Sequence, residues 1–217
     1  FSTATDVFNT AVGTNAGTSV TTGTQNTIVG GLAADALTVG IHNVALGYAS
    51  LTTDTKGSAS VAVGNEALST QNFTTATDAY NVAVGDQAGK ALTTGIQNVF
   101  IGGLAGDALQ AASDNVAVGY KALSADVGGQ NNVAVGRQAL ETANVSSGNI
   151  YNTAVGAAAG QSVTTGISNV ILGGLAGDAL TDADFNVVVG RGALTADTLG
   201  SRTVSVGYES LGAQNFT

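Results

Sequence analysis

The amino-acid sequence predicts an all-β fold, a parallel β-solenoid built from twelve coils of about 17 residues each. A short phrase, written Asn-Val-Ala-Val-Gly in its commonest form, recurs along the whole chain at nearly constant spacing. Within each copy, three residues that mostly favour β-strands stand between Asn and Gly, which favour turns. A fixed period of this kind is the signature of a repeat architecture, in which each unit packs on its neighbours.

The period can be measured on the glycine that ends each phrase. The differences between successive glycine numbers are 17, 17, 17, 21, 17, 17, 17, 20, 17, 17 and 17. The common step is too short for a helix-turn-helix repeat, whereas it suits one circuit of a β-solenoid. At this glycine column the sequence predicts a positive φ or a close backbone approach. Its members are Gly13, Gly30, Gly47, Gly64, Gly85, Gly102, Gly119, Gly136, Gly156, Gly173, Gly190 and Gly207.

Each phrase predicts a short strand with apolar residues on both faces. Side chains alternate along a strand, so Val116 and Val118 point one way and Ala117 points the other. Because both sets are apolar, we expect the strand to be buried on both sides. The Ala-Leu pair further on, such as Ala122 and Leu123, is expected to form the second wall of the coil.

An asparagine stands four residues before the glycine in ten of the twelve copies, and Ser60 and Thr203 take its place in the other two. In stacked coils these amides lie above one another, which predicts a hydrogen-bonded ladder with a structural role. The ladder residues are Asn9, Asn26, Asn43, Asn81, Asn98, Asn115, Asn132, Asn152, Asn169 and Asn186.

A longer period lies above the first. Every fourth copy matches best, and the corresponding glycine numbers differ by 85 − 13 = 72 and then by 156 − 85 = 71. The chain is therefore interpreted as a single array over 1–217, in four-coil blocks of approximately 1–72, 73–144 and 145–217. Both longer steps fall at block junctions. Because both ends repeat internal junction sequence, the sequence also predicts that this array is a window of a longer chain.

The repeated units resemble the head repeats of trimeric autotransporter adhesins and, more closely, the arrays of phage tail-fibre proteins. The resemblance covers essentially the whole chain and is carried by the strand phrase and the "xxAL" that follows it. It implies a left-handed parallel β-roll, with three identical chains side by side around a common axis.

Composition excludes several classes of function. The net charge of −9 and only six Lys and Arg disfavour nucleic acid as a partner. No apolar run approaches the roughly 20 residues of a membrane span, so no membrane insertion is expected in this segment. His42 is the only histidine and there is no cysteine, which argues against a nucleophile and base pair and hence against an enzyme. No cofactor is expected.

Three equivalent carboxylates, Asp35, Asp107 and Asp178, recur once per block. Four coils separate them by about 19 Å, which is too far to share an ion, so turn capping is the better interpretation and no metal site is expected. Asp182 and Asp184 are a weak local alternative. The exposed corner after the strand glycine is the expected place of three tyrosines, Tyr48, Tyr120 and Tyr208.

These observations predict a structural or adhesive segment of an extracellular fibre, on a phage tail or a bacterial surface. Its expected partners are further copies of itself, as a homotrimer, and a host-cell surface glycan or protein receptor met through junction segments 69–80 and 141–151. One alternative is a ligand-binding solenoid such as an ice-binding protein, suggested by the Thr-rich segment 18–27, although its Thr-Thr-Gly pair recurs only once per block, at Thr21, Thr93 and Thr164. The other is a polysaccharide-acting β-helix enzyme.

Overall fold

The structure, a computed structural model, describes residues 7–216, and this part of the chain is an all-β parallel solenoid of about twelve coils. Twelve three-residue strands form one sheet, each pairing with the strand of the next coil. Four two-residue strands form two small sheets beside it. The strands are β1 Thr10–Val12, β2 Thr27–Val29, β3 Val44–Leu46, β4 Gly57–Ser58, β5 Val61–Val63, β6 Thr77–Asp78, β7 Val82–Val84, β8 Val99–Ile101, β9 Val116–Val118, β10 Gly129–Gln130, β11 Val133–Val135, β12 Gly148–Asn149, β13 Thr153–Val155, β14 Val170–Leu172, β15 Val187–Val189 and β16 Val204–Val206.

Equivalent residues of successive coils lie directly above one another. Ala117 of β9 pairs with Phe100 of β8 on one side and with Ala134 of β11 on the other. The residue numbers of these partners differ by 117 − 100 = 17 and 134 − 117 = 17. This in-register stacking confirms the predicted solenoid and its period.

The core lies inside the coil, between the middle residue of each strand and the second wall. In the third and fourth coils of each block the middle residue is mostly small, and a leucine four positions after the strand glycine fills the space. In the second coil the middle residue is large, and the opposing position is small. A Cβ on Gly89 or Gly106 would lie 2.6 Å from the ring of Phe100, so the ring occupies the space that both glycines leave. The volume of the core is thus kept nearly constant by exchange between the two walls.

The expectation that the strands are buried on both faces is wrong for the single chain. Ala117 is fully buried, whereas Val116 and Val118 are only half-buried. In β16 the corresponding Val204 and Val206 are 69% and 64% exposed. The middle residue therefore points into the coil, and the first and third residues form an apolar outer face.

Each coil turns through repeated left-handed backbone conformations. In the coil that contains β9, Asp114, Lys121 and Leu123 have φ values of 61°, 56° and 55°. Residues with a branched Cβ are strained in this region. Although Val and Thr abound in the chain, neither they nor Ile occur at the three equivalent positions of any coil. At Gly119 φ is 130°, and an added Cβ would lie 2.6 Å from the carbonyl oxygen of Gly136, so this column accepts glycine alone.

The two longer steps are accommodated as small inserts at one corner of the solenoid. The first insert, residues 74–78, runs between the buried side chains of Phe73 and Ala79, and its end forms β6, which pairs with β4. The second insert, residues 146–149, contains β12, which pairs with β10. Both inserts leave the main sheet uninterrupted, since β5 pairs with β7 and β11 with β13 in full register.

Deletion of residues 73–144 should shorten the rod by four coils without unfolding it. The deletion joins Asn72 to Val145. The N–H of Val145 donates to Asp126 Oδ1 as the N–H of Phe73 donates to Asp54 Oδ1, so Val145 can take the place of Phe73. We expect small-angle scattering to show a rod shorter by about 19 Å, with an unchanged far-ultraviolet circular dichroism spectrum per residue. Loss of the β-spectrum would contradict the independence of the blocks.

Candidate functional site

The asparagine column ties each coil to the next one along the chain. The Oδ1 atom of Asn115 accepts the backbone N–H of Asn132 at 3.0 Å, and its Nδ2 donates to the carbonyl oxygen of Gly129 at 2.9 Å. Both contacts are buried. The same two bonds, to the residue 17 positions on and the residue 14 positions on, are made by Asn9, Asn26, Asn43, Asn81, Asn98, Asn152, Asn169 and Asn186.

These bonds run mainly from side chain to backbone. Direct amide-to-amide contacts are longer, as between Asn115 Nδ2 and Asn98 Oδ1 at 3.3 Å. The column therefore supplies hydrogen-bond partners to buried backbone groups at the corner of the following coil. Leaving such a group unpaired costs about 1–3 kcal/mol, so each asparagine prevents two such losses.

Asn132 departs from this pattern because an insert replaces the corner that its amide would meet. Its Oδ1 still accepts the backbone N–H of Asn152 at 3.1 Å, but its Nδ2 lies 3.5 Å from Oδ2 of Asp126. In the first block the corresponding residue is Ser60, and the side chain of Gln71 enters from the second wall. Gln71 donates to Ser60 Oγ at 3.0 Å and accepts from Asn81 Nδ2 at 2.9 Å.

The two residues at this place vary together. A short ladder residue is accompanied by glutamine eleven positions later, as in the pairs Ser60 with Gln71 and Thr203 with Gln214. The longer Asn132 is accompanied by Ala143, which is buried. Each junction therefore has one side-chain amide inside the coil. It comes from the ladder residue in one case and from the glutamine of the second wall in the other two.

A buried aspartate stands six positions before each of these ladder residues. Its Oδ1 atom caps its own turn and the chain that begins the junction. Asp54 accepts the backbone N–H groups of Gly57 at 2.9 Å and Phe73 at 3.1 Å. Asp126 and Asp197 make the equivalent contacts in the other blocks. This column was not predicted from the sequence, although the pattern Asp-x-x-Gly at 54–57, 126–129 and 197–200, with the block period, would have indicated it.

The pKa values of two of these carboxyls move in opposite directions. Burial raises the pKa of Asp126, and the hydrogen bonds from backbone N–H groups only partly offset it. Burial would likewise raise the pKa of Asp197, but hydrogen bonds from the Gln214 side chain and from backbone N–H groups outweigh it and lower the pKa. The glutamine amide donates to Asp197 Oδ2 at 3.0 Å, and Ala143 offers Asp126 no such donor.

The predicted acidic column is not brought together into a site. Asp35 accepts the hydroxyl of Thr52, whereas Asp107 and Asp178 each have a buried Oδ1 without a hydrogen-bond partner in the described chain. Burial raises the pKa of both carboxyls. Within residues 7–216, no three His, Cys, Asp or Glu side chains are grouped so as to hold a metal ion.

The weak local pair, Asp182 and Asp184, is engaged in bonds between coils. Asp182 accepts the hydroxyl of Thr165, and Asp184 Oδ1 accepts the backbone N–H of Ile167 at 2.8 Å. His42 lies on the surface, where its Nε2 contacts Oε1 of Gln25.

The threonines of the ice-binding alternative use their hydroxyls internally. Thr21, Thr93 and Thr164 each donate to a backbone carbonyl of the next coil, at 3.1, 3.2 and 3.2 Å. The column is longer than the sequence argument allowed, because Thr38 and Thr181 continue it in the following coils. Its hydroxyl hydrogens are directed along the rod.

The tyrosines lie at exposed corners. Tyr48 and Tyr120 are 56% and 50% exposed. Their rings lie beside Gly31 and Gly103 of the preceding coils, the residues that follow the strand glycines there. Tyr208 is 68% exposed, and Nη1 of Arg191 contacts its hydroxyl at 3.3 Å.

The outer side of the twelve-stranded sheet is a continuous apolar surface, formed by the first and third residues of each strand and called here the valine face. Three of these residues, Thr10, Thr27 and Thr153, are threonine, and all others are Val, Leu or Ile. At the spacing of β-strands the strip is about 53 Å long and about 10 Å wide. An apolar patch of this size lies at the upper end of what a monomeric protein leaves open to water.

Comparisons with known proteins identify no relative: no family model, no curated protein and no solved structure matches the chain. In the described residues no helix is long and apolar enough to cross a membrane.

Replacement of Asn115 by alanine should lower the free energy of unfolding by about 2–4 kcal/mol, because a buried N–H and a buried carbonyl lose their partner. The matched control is Asn65→Ala, since the Asn65 side chain makes one exposed hydrogen bond, from its Nδ2 to Asp86 Oδ1 at 2.9 Å. We expect that control to stay within about 0.5 kcal/mol of the parent in urea denaturation. Equal losses in the two variants would refute the special role of the column.

The pair Ser60 and Gln71 should behave as a coupled unit. Ser60→Asn alone overfills the coil and is expected to cost about 1–3 kcal/mol. Gln71→Ala alone removes the donor to Asp54 Oδ2, which lies at 2.6 Å. The double variant reproduces the pair found at Asn132 and Ala143, so its loss of stability should be smaller than the sum of the two single losses by about 1–2 kcal/mol. Additive losses, measured by urea denaturation of all four proteins, would contradict this account.

The reverse exchange, Asn132→Ser with Ala143→Gln, should lower the pKa of Asp126 by giving its Oδ2 an amide donor. In the parent protein the raised pKa stabilises the fold fully below the ordinary carboxyl pKa of about 4, and this contribution is lost as the pH rises through the raised value. In the double variant that loss should disappear. Titration of the Asp126 carboxyl carbon by NMR measures the change, with Asp197 as the unchanged control, and an unaltered Asp126 would count against the explanation.

Proposed function

We propose that this chain is a structural, adhesive segment of an extracellular fibre, in which copies of the chain assemble side by side and present receptor-binding regions at a distance from the fibre's base. The repeat resembles those of phage tail fibres and of bacterial surface adhesins, so these are the two kinds of fibre that we consider. The valine face is the observation that carries the proposal. It runs the full length of the described solenoid on one side only.

A second copy is the partner that best matches this face. The strand residues of the valine face are all uncharged and repeat at the strand spacing, and an identical face has the same length and the same period. Burying apolar surface contributes about 25 cal/mol per Å², so that a strip of this length supplies a substantial driving force. A closed trimer would place all three valine faces around one axis.

The remaining features of the rod suit a mechanical role. Nearly every contact between coils is a repeated one, so stiffness extends along the whole array. The buried carboxylates Asp54, Asp126 and Asp197 stand four coils apart, about 19 Å, which is farther than the two carboxylates of a glycosidase stand from each other. These features support a structural function, in which the rod holds receptor-binding regions at a distance from the base of the fibre.

A charge on the valine face should prevent self-association without unfolding the coil. Val116→Glu with Val118→Glu places two carboxylates on the outer side of β9, where both parent side chains are half-buried. The control is Thr94→Glu, an exposed position outside the twelve-stranded sheet. We expect sedimentation velocity to give a trimer for the parent and the control, and a monomer with an unchanged circular dichroism spectrum for the double variant. A monomeric parent protein at tens of micromolar would overturn side-by-side assembly.

A further inference from the structure

Two exposed tyrosines stand beside the two inserts. One residue separates Tyr80 from the first insert, and one residue separates Tyr151 from the second. Tyr80 is 57% exposed and Tyr151 is 54% exposed. Both occupy the position before the ladder asparagine, in the first coil of a block. They are distinct from Tyr48 and Tyr120, which lie after the strand glycine in the third coil of a block.

Each insert is a polar loop held on a rigid base. In the first, Thr74 and Thr75 are exposed, while Phe73 is buried and its N–H is fixed by Asp54 at 3.1 Å. The loop returns at Ala79, which is fully buried and donates its N–H to the carbonyl of Ser58 at 2.9 Å.

The second insert has the same form. Ser146 and Ser147 are exposed, and a Cβ on Gly148 would meet nothing within 4 Å. Ile150 is buried and donates its N–H to the carbonyl of Gln130 at 3.0 Å. Both loops thus present side-chain hydroxyl groups between flanking residues that are hydrogen-bonded to the preceding coil, which is the usual arrangement of a recognition loop.

Uncharged polar side chains also lie beside each tyrosine on the following coil. The N–H of Gln97 donates to the carbonyl of Ala79 at 2.8 Å, which places Gln97 directly above Tyr80 along the rod. The N–H of Ser168 makes the same contact with Ile150 at 2.8 Å, which places Ser168 above Tyr151.

We infer that each tyrosine with its insert forms a subsite for a neutral glycan, an inference that rests on the adhesive function proposed above. The exposed ring offers an apolar face for the C–H face of a sugar, and it does so with little loss of side-chain entropy. The hydroxyl and amide groups around it match the hydroxyls of the sugar. Asp78 is the one charged residue of either insert, and the net charge of −9 repels anionic sugars, so the ligand is neutral.

The two subsites lie four coils apart, about 19 Å. A glycan long enough to reach both tyrosines binds the second subsite at a high effective concentration, so that affinity should rise steeply with chain length. Short oligosaccharides should bind one subsite weakly.

The test uses the whole chain in its assembled form on a printed array of neutral oligosaccharides of increasing length and their sialylated counterparts. We expect binding to neutral chains that strengthens once they span the two subsites. Tyr80→Ala with Tyr151→Ala should reduce this binding at least tenfold, and Tyr80→Phe with Tyr151→Phe should retain most of it. The matched control is Tyr48→Ala with Tyr120→Ala, which removes two equally exposed tyrosines at the same spacing but away from the inserts; it should stay within twofold of the parent.

Three results would overturn the inference: no binding to any neutral glycan, equal losses in the alanine variant and its control, or an unaltered alanine variant. Assembly is measured separately, by sedimentation of the same variants. A rod that forms the trimer and attaches to cells, but binds no glycan, would leave the proposed function standing and show that the ligand class is wrong. A parent protein that fails to assemble would instead count against the proposed function.

Discussion

The pair of hydrogen bonds that each asparagine side chain makes to the next coil is the contact on which the rod depends. A coil of this size has one strand of only three residues in the main sheet, so most of its backbone bonds to neighbouring coils outside that sheet. At the corner before each strand the backbone is buried, and water cannot replace a missing partner there. Asn115 and its equivalents supply one acceptor and one donor at that corner, in the same geometry from coil to coil.

The four-coil block follows from the way volume and polarity are distributed inside the coil. One large residue per block, such as Phe100, needs two small neighbours on the opposite wall. The leucines of the third and fourth coils fill the same space from the other side. At the end of the block the insert removes a backbone partner, and a buried carboxylate with an amide from either wall replaces it. The superperiod is therefore a packing solution that uses four coils before it repeats.

Much of the fold could be predicted from the sequence because the period is strict. The spacing of the glycines indicated the number of coils, and the small residue between two larger ones indicated the strand. Which face of the strand points into the core could not be predicted in the same way. Ala117 and its valine neighbours are all apolar, and only the closeness of the two walls decides that the smaller one points inside.

The candidate site was predicted less well, for two physical reasons. The buried column that begins at Asp54 was overlooked because a carboxylate inside a coil is unfavourable unless several N–H groups surround it. One of those groups, the N–H of Phe73, comes from a residue distant in the sequence. The column that begins at Asp35 was chosen for its regular spacing, but its members lie too far apart to act together. The absence of branched residues at the left-handed positions was a readable signal that the sequence argument did not use.

The asparagine bonds also give the rod a direction. Each side chain reaches toward the coil that comes later in the chain, so a finished coil already displays the acceptor and the donor that the following one needs. A chain emerging from its N-terminal end would find at every stage a prepared surface to close upon, and its open end would always carry the same template. Each added coil therefore presents, through one asparagine amide, the same two hydrogen-bonding groups to the coil that follows.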